Sequence, residues 1–160
     1  MATEDKLEGA RNGLAFSYAY MNMVGQEIGM ERAIALSAKV DEMMGDAQGK
    51  MMKEQLGGKD IDINAATTMA LNTIKDGFGI TSEVIERSPE RMVVRCSRCP
   101  VYEAAQSVGI DTGTIETLCR TGSLKFMDAM VKQLNPNLSY RLTKFRSAAD
   151  DFCEEAIVLE

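Results

Sequence analysis

Residues 82–97 read SEVIERSPERMVVRCS and mark the point where the sequence changes its period. Apolar and polar residues alternate on both sides of Ser88-Pro89-Glu90, a segment typical of a turn. The alternation predicts two antiparallel strands joined as a β-hairpin. A second hairpin is predicted from Leu138 to Leu159, with a polar turn at residues 147–151. The carboxyl-terminal half should therefore contain an antiparallel sheet of about four strands.

Helical spacing dominates the sequence before and between these strands. Apolar residues recur at steps of three and four, which predicts helices at residues 14–28, 33–56, 64–75, 100–108 and 114–134. Asn64 is the expected N-cap of the third helix, and Pro100 can open the fourth at its first turn. The segment Asn135-Pro136-Asn137 ends the last helix.

These elements together predict an α+β fold in a single domain over residues 1–160. Residues 1–79 form an all-helical half. Residues 80–160 form a cysteine-bearing half, in which helices pack against one face of the antiparallel sheet. A chain of 160 residues can bury enough apolar surface to fold without disulfides or a structural metal.

The composition excludes several classes of function. The 18 Lys and Arg face 24 Asp and Glu, a net charge of −6, so the chain lacks the positive charge that draws proteins to nucleic acid. It contains no histidine, which excludes catalytic triads that use histidine and zinc sites that have a histidine ligand. No apolar run reaches the roughly 18 residues of a membrane span, and the amino-terminal residues resemble no secretion signal. We therefore expect a cytoplasmic protein without a membrane partner.

The cysteines are the residues best suited to chemistry, and they stand at Cys96, Cys99, Cys119 and Cys153. In the cytoplasm, where thiols stay reduced, they should be free, metal-bound or catalytic. Cys96 and Cys99 are separated by two residues at the end of a predicted strand, where two thiolates can converge on one metal ion. Together with Cys119 and Cys153 they would hold zinc or an iron–sulfur cluster. In the alternative interpretation, Cys119 and Cys153 are small buried hydrophobic residues.

Three further patterns have both a functional and a structural interpretation. The methionines of the second predicted helix could line a pocket or partner groove, or pack in the core; they are Met30, Met43, Met44, Met51 and Met52. Gly45 and Gly49 make a notch where another helix can approach. These faces could pack within the chain or across a two-fold axis, and a homodimer is the expected assembly. A cluster of acidic residues could supply a carboxylate base or ligands for a hard metal ion, or form a solvated turn and strand edge; its members are Asp150, Asp151, Glu154 and Glu155.

The carboxyl-terminal half resembles a known family. A strand ends in Cys99-Pro100, and a helix carries Cys119. Asn135-Pro136 then ends a helix, and Cys153 precedes the final strand. In this combination, residues 80–160 resemble the L-2-amino-thiazoline-4-carboxylic acid hydrolase family. The segment Ala148-Ala149-Asp150-Asp151 stands where that family has a Gly-Asp turn. The layout is also similar, more distantly, to the 4-vinyl reductase domains, which bind small hydrophobic ligands or metals.

The resemblance implies a hydrolase that opens a thiazoline ring, or another cyclic amidine, by attack of water on the amidine-like carbon and cleavage of the C–N or C–S bond. Without histidine, a thiolate-bound zinc could activate the water. Alternatively, Cys99 acts as a nucleophile with Asp151 as proton carrier. In either case Cys99, Cys119 and Cys153 form the cluster, and Cys96 is the fourth ligand or a spare.

A second interpretation makes the protein a non-enzymatic module. Its cysteines would hold zinc or an iron–sulfur cluster, while the helical half senses a small-molecule ligand or docks a partner. The sequence supplies no clear general base, which favours this interpretation. In a third interpretation the cysteines are structural only, and the domain acts by association.

Overall fold

The computed structural model describes residues 3–160. In chain order its elements are α1 (Thr3–Ile28), α2 (Met30–Gln55), α3 (Ile63–Phe78), β1 (Ser82–Arg87), β2 (Arg91–Cys96), α4 (Pro100–Ser107), α5 (Thr112–Leu118), a π-helical segment (Cys119–Ser123), α6 (Leu124–Leu134), β3 (Leu138–Lys144) and β4 (Cys153–Leu159). The predicted α+β class and the helical amino-terminal half are confirmed. Within residues 3–160, no helix combines the length and apolar character needed to cross a membrane.

The strands form one antiparallel sheet in the order β1-β2-β4-β3. The two predicted hairpins therefore meet through β2 and β4, the strands at the centre of the sheet. In this register Cys96 lies opposite Cys153, and Val94 lies opposite Glu155. Because alternate residues of a strand share a face, these side chains belong to one face of the sheet, and the pairing of β3 adds Tyr140 to it.

Two hydrophobic cores hold the helices in place. The first lies between the sheet and helices α3 and α6, where Ile74 and Met130 are buried with Tyr140. The second lies between α1, α4 and α5 around Tyr102. Cys99 packs against both cores. The cysteine-bearing end of the sheet is therefore the place where the two cores meet.

The glycine notch of α2 is filled by α6 of the same chain. A Cβ atom at Gly49 would stand 2.6 Å from the carbonyl oxygen of Met130, and one at Gly45 would overlap the carbonyl group of Phe126. Only glycine allows α2 and α6 to approach this closely. The notch is thus an intramolecular contact, whereas the methionines Met43, Met44 and Met51 of the same helix are exposed.

Two local predictions differ from the structure. Helix α3 is capped by Asp62 rather than Asn64, because Asp62 Oδ1 accepts a hydrogen bond from the Ala65 N–H at 2.8 Å. The single helix predicted over residues 114–134 is divided into α5, the π-helical segment and α6. The π turn brings Gly122 against Asp41 of α2, where a Cβ atom would lie 2.6 Å from Asp41 Oδ2. Such turns often occur at functional sites.

Candidate functional site

A cavity of about 150 Å³ lies where the helices meet the cysteine-bearing end of the sheet. Its lining is mainly apolar and comes from Leu14, Ile74, Phe78, Ile80, Val101, Leu124, Phe126, Met127, Leu142 and Phe145. All four cysteines also line it, and its charged side chains are Asp41, Arg146 and Glu155. A cavity of this volume suits one small ring.

The structure brings the predicted cysteines together from four different elements. Cys96 ends β2, Cys99 is the N-cap of α4, Cys119 begins the π-helical segment and Cys153 begins β4. Asp151, the predicted proton carrier, is not among the residues that line the cavity. Its carboxylate accepts hydrogen bonds from the Ser147 N–H at 2.9 Å and from Lys144 Nζ at 3.0 Å. These hydrogen bonds lower the pKa of Asp151.

The cysteines do not form the metal site predicted from the sequence. Within residues 3–160, no group of three or more Cys, Asp or Glu side chains is arranged to hold a metal ion. The hydrogen bonds of the thiols explain the difference. Cys153 Sγ accepts a hydrogen bond from Arg146, and Cys96 Sγ lies 3.1 Å from Ser82 Oγ. A fixed cation beside Cys153 would repel a metal ion, so the predicted zinc or iron–sulfur site on Cys96, Cys99, Cys119 and Cys153 is not supported.

Arg146 is the most unusual residue of the cavity. It is only 1% exposed, yet no carboxylate of the described residues forms an ion pair with it. Its Nε donates to Cys153 Sγ at 3.3 Å, and its Nη2 donates to the Cys96 carbonyl oxygen at 3.1 Å. The guanidinium also lies over the Tyr102 ring, 5.4 Å from the ring centroid. A buried charge without an opposite partner is costly, so this arrangement favours an anionic ligand.

Glu155 supplies a carboxyl group to the same face of the sheet. The Tyr140 hydroxyl donates a short hydrogen bond to Glu155 Oε2, and Cys96 Sγ lies 3.9 Å from the same oxygen. Burial raises the pKa of Glu155, although these hydrogen bonds and the nearby Arg146 oppose the shift. Glu155 therefore retains its proton more readily than an exposed glutamate, which suits a general acid.

The four thiols differ in their electrostatic surroundings. Burial raises the pKa of Cys99 to about 11, despite the opposing charge of Arg146. Burial also raises the pKa values of Cys96 and Cys119 well above their ordinary range. These three residues are therefore neutral thiols near pH 7. Cys153 differs from them in its hydrogen bonding, because its Sγ accepts a hydrogen bond from the Arg146 guanidinium.

The helix side of the cavity carries Asp41, and the buried Tyr18 lies near Asp41 without lining the cavity. Burial raises the pKa of Asp41. Burial also raises the pKa of Tyr18, with smaller contributions from Cys119, Cys99 and Asp41. Polar groups thus line the cavity from both the sheet and the helices.

Sequence reasoning missed Arg146 and Asp41, and it did not single out Glu155 from the neighbouring acidic residues. The strand period could have identified Glu155, because residues two apart in β4 share a face and Cys153 was already a candidate. Asp41 stands at helical spacing from Ala38 and Gly45, both buried, so it was a visible charge on an apolar stripe. For Arg146 we find no sequence signal.

The fold and this cavity define a class of α+β domains in which a four-stranded antiparallel sheet and a helical layer enclose an internal site. The family model described as L-2-amino-thiazoline-4-carboxylic acid hydrolase matches residues 10–155. The chain belongs to this family. The resemblance noted for residues 80–160 is therefore confirmed, and it extends through most of the helical half.

Solved structures with the same fold come from proteins of different kinds. The phenol-responsive sensory domain of the transcription activator PoxR, solved with phenol, aligns with a TM-score of 0.65 at 11% identity, over 91% of this chain and 74% of that one. Trafficking protein particle complex subunit 3 from Naegleria fowleri, covalently bound to palmitic acid, aligns with a TM-score of 0.55 at 15% identity, over 95% of both chains. At these identities the likeness establishes the fold alone. No curated protein matches the chain at a significant level.

Proposed function

We propose that the cavity binds a small cyclic amidine of the thiazoline type that carries a carboxylate, and that it opens the ring by hydrolysis. The observation that supports this most strongly is the buried Arg146 guanidinium, directed at Cys153 Sγ at 3.3 Å without a carboxylate partner among residues 3–160. A cation in this position attracts the ligand's carboxylate and stabilises negative charge on sulfur. Membership of the hydrolase family supports the ring-opening chemistry.

The size and donor pattern of the cavity suit such a ligand. A volume of about 150 Å³ accommodates one small ring. A guanidinium has five N–H donors, and three hydrogen bonds from Arg146 go to the Cys153 sulfur and to the carbonyl oxygens of Cys96 and Ala149. Two donors therefore remain for a ligand, which is the number that a bidentate contact with a carboxylate uses.

The reaction can be written with this chain's own groups. The Cys153 thiolate attacks the amidine-like ring carbon and forms a new C–S bond. The ring C–S bond then breaks, and the leaving sulfur takes a proton from Glu155, which leaves an isothiourea on Cys153. Water attacks the same carbon and gives a proton to the Glu155 carboxylate, and the Cys153 thiolate leaves. One water is consumed, and the product is a urea that carries a free thiol.

Thiol release from 2-aminothiazoline-4-carboxylate tests this proposal. We expect the wild type to release one thiol per molecule of substrate, and Cys153→Ser to lower kcat/KM by at least about 100-fold. Cys119→Ser is the matched control, because it changes a neutral thiol of the same cavity and should retain most of the activity. Loss of activity in Cys99→Ser but not in Cys153→Ser would contradict our choice of nucleophile.

A second candidate function is ligand binding without chemistry. It is favoured by the apolar lining and by the raised pKa values of Cys96, Cys99 and Cys119, which keep these thiols unreactive. The PoxR domain, which has the same fold, is a phenol-responsive sensory domain. If calorimetry detects binding of 2-aminothiazoline-4-carboxylate while no thiol is released at high protein concentration, this second function is supported instead.

A further inference from the structure

Asp41 is a charged group of the cavity that the chemistry above does not use. It lies on α2 and lines the cavity together with Arg146. No side chain or backbone group of residues 3–160 donates a hydrogen bond to its carboxylate, and no cation forms an ion pair with it. Asp41 is half-buried, and this burial raises the pKa of its carboxyl group.

The π-helical segment keeps the space beside Asp41 free of side chains. Gly122 stands against the carboxylate, and a Cβ atom at that position would lie 2.6 Å from Asp41 Oδ2. Any other residue at 122 would cover the carboxylate or displace it. The local backbone therefore leaves the acid facing the cavity.

Asp41 and Arg146 belong to different walls of the cavity, one on a helix and one beside the sheet. Arg146 follows β3 and is held to the sheet by the Cys96 carbonyl oxygen and Cys153 Sγ. Asp41 belongs to α2, which packs against α6 and the π-helical segment. The cavity thus has a positive group on its sheet side and a negative group on its helix side.

We propose that Asp41 binds a protonated nitrogen of the ligand, so that the cavity selects a molecule with a cationic amidine at one end and a carboxylate at the other. An amidinium presents two N–H groups that match the two oxygens of a carboxylate. This inference rests on the proposed function for the ring that joins the two ends. The recognition of the cation itself does not require hydrolysis.

The test compares two ligands that differ by one amino group, in the Cys153→Ser background to prevent turnover. The 2-aminothiazoline-4-carboxylate carries the amidine, and thiazoline-4-carboxylate lacks its amino group. We expect Asp41→Asn to weaken binding of the first ligand by about 10- to 100-fold in calorimetry and that of the second by less than about 3-fold. Glu42→Gln, an exposed charge change one residue along α2, is the control and should alter neither.

If Asp41→Asn weakens the binding of both ligands equally, or of neither, the role of Asp41 in binding the amidine is overturned. Thiol release by the wild type would still support hydrolysis in that case. Selective loss of the amidine ligand in a protein that releases no thiol would refute the hydrolase and leave the role of Asp41 standing. Failure of both ligands to bind would overturn both.

A second inference rests on a different observation, the outer face of α1 and α2. On α1 the exposed apolar residues follow a helical spacing, with Phe16 78%, Tyr20 67% and Met23 62% exposed. On α2 a similar stripe is made by Leu36, Val40, Met43, Met44 and Met51. The α1 stripe lies opposite the side that α1 buries, and the α2 stripe lies away from the buried Ala38, Gly45 and Gly49 of its helix.

The extent of this surface indicates what covers it. The two stripes expose on the order of 1,000 Å² of mainly apolar surface, above the about 300–600 Å² of the largest patch on a typical monomer and near the ~800 Å² that each partner buries in a standard interface. A net charge of −6 disfavours an anionic membrane as the partner. We propose that a second copy of this chain covers the face formed by α1 and α2, across a two-fold axis.

Sedimentation velocity over a range of protein concentrations tests this interface. We expect the wild type to sediment at twice the 17.5 kDa chain mass, and Met43→Glu with Tyr20→Glu to shift it to the monomer with an unchanged circular dichroism spectrum. Ile85→Glu, at an exposed apolar residue of β1, is the control and should remain dimeric. A monomeric wild type at every concentration, or one that binds neutral lipid vesicles as a monomer, would overturn the proposal.

Discussion

The Arg146 guanidinium donates a hydrogen bond from Nε to Cys153 Sγ at 3.3 Å, across the turn that joins β3 to β4. Asp151 organises that turn, because its carboxylate accepts hydrogen bonds from the Ser147 N–H and from Lys144 Nζ. The acidic residue that the sequence suggested as proton carrier therefore lies in the segment that sets the cation beside the sulfur. The geometry of the candidate site depends on this short connection.

Replacing Arg146 should reveal how much its charge contributes to ligand binding, apart from the contribution of the apolar lining. We expect Arg146→Met to weaken the binding of 2-aminothiazoline-4-carboxylate by about 100-fold, because the ligand's carboxylate loses its charged hydrogen-bond donor. The ligand 2-aminothiazoline keeps the ring and lacks the carboxylate, so its binding should change little. Arg141→Met, at an exposed arginine of β3, is the matched control. Equal weakening of 2-aminothiazoline and the carboxylate ligand would mean that Arg146 only maintains the cavity's shape.

The stability of the protein should depend on pH through Glu155. Burial raises the pKa of Glu155 in the folded state, so the folded protein keeps this proton at pH values where the unfolded chain has lost it. Stability attributable to this group therefore falls as pH rises from the ordinary glutamate range to the raised pKa. We expect the free energy of unfolding of Glu155→Gln, relative to wild type, to increase across that interval and then remain constant. Urea unfolding at a series of pH values measures this difference in free energy. Parallel curves of unfolding free energy against pH for the two proteins would contradict the prediction.

Asp151 should affect the pH dependence of stability in the opposite direction to Glu155. Hydrogen bonds from Ser147 and Lys144 lower its pKa, so its ionised form stabilises the folded state above the ordinary aspartate range. That stability is lost as pH falls through the lowered pKa. We expect Asp151→Asn to be less stable than wild type near pH 7, with a difference that shrinks in acid. Thermal unfolding at several pH values checks it, and a difference that grows in acid would exclude this role of the carboxylate.

Two glycines in helices should respond in opposite directions to alanine. Gly49→Ala places a Cβ atom 2.6 Å from the Met130 carbonyl oxygen, so it should cost roughly 2–4 kcal/mol of stability through overpacking and strain. Gly13→Ala, in α1, meets nothing within 4 Å and should stabilise the protein by about 0.5–1 kcal/mol. Urea unfolding measures both changes. A neutral effect of Gly49→Ala would show that α2 and α6 can move apart.

Local patterns in the sequence were enough to predict the hairpins and most helices, since period and turn chemistry are properties of short segments. The π-helical segment at Cys119–Ser123 was not predictable, because nothing in its helical spacing distinguishes it from an α-helix. The cap of α3 was misplaced by two residues because Asp62 and Asn64 are both good caps.

The candidate site was only partly predictable, for a different reason. The four cysteines were visible in the sequence, and the family resemblance suggested that they meet. The predicted zinc or iron–sulfur site is not supported, because the buried Arg146 cation lies beside the sulfurs. The sequence could not predict this position of Arg146, since it results from the meeting of β2 and β4. Asp41 lies on α2, about 40 residues before the first strand, and no short sequence pattern predicts such a distant contact.

Intact-mass spectrometry of the protein mixed rapidly with 2-aminothiazoline-4-carboxylate tests directly whether Cys153 is the nucleophile. We expect a transient species heavier than the free chain by one whole substrate molecule, with the added mass mapped to Cys153 after digestion and absent in Cys153→Ser. An adduct on Cys99, or complete turnover with no adduct at any mixing time and unchanged rates in Cys153→Ser, would contradict it.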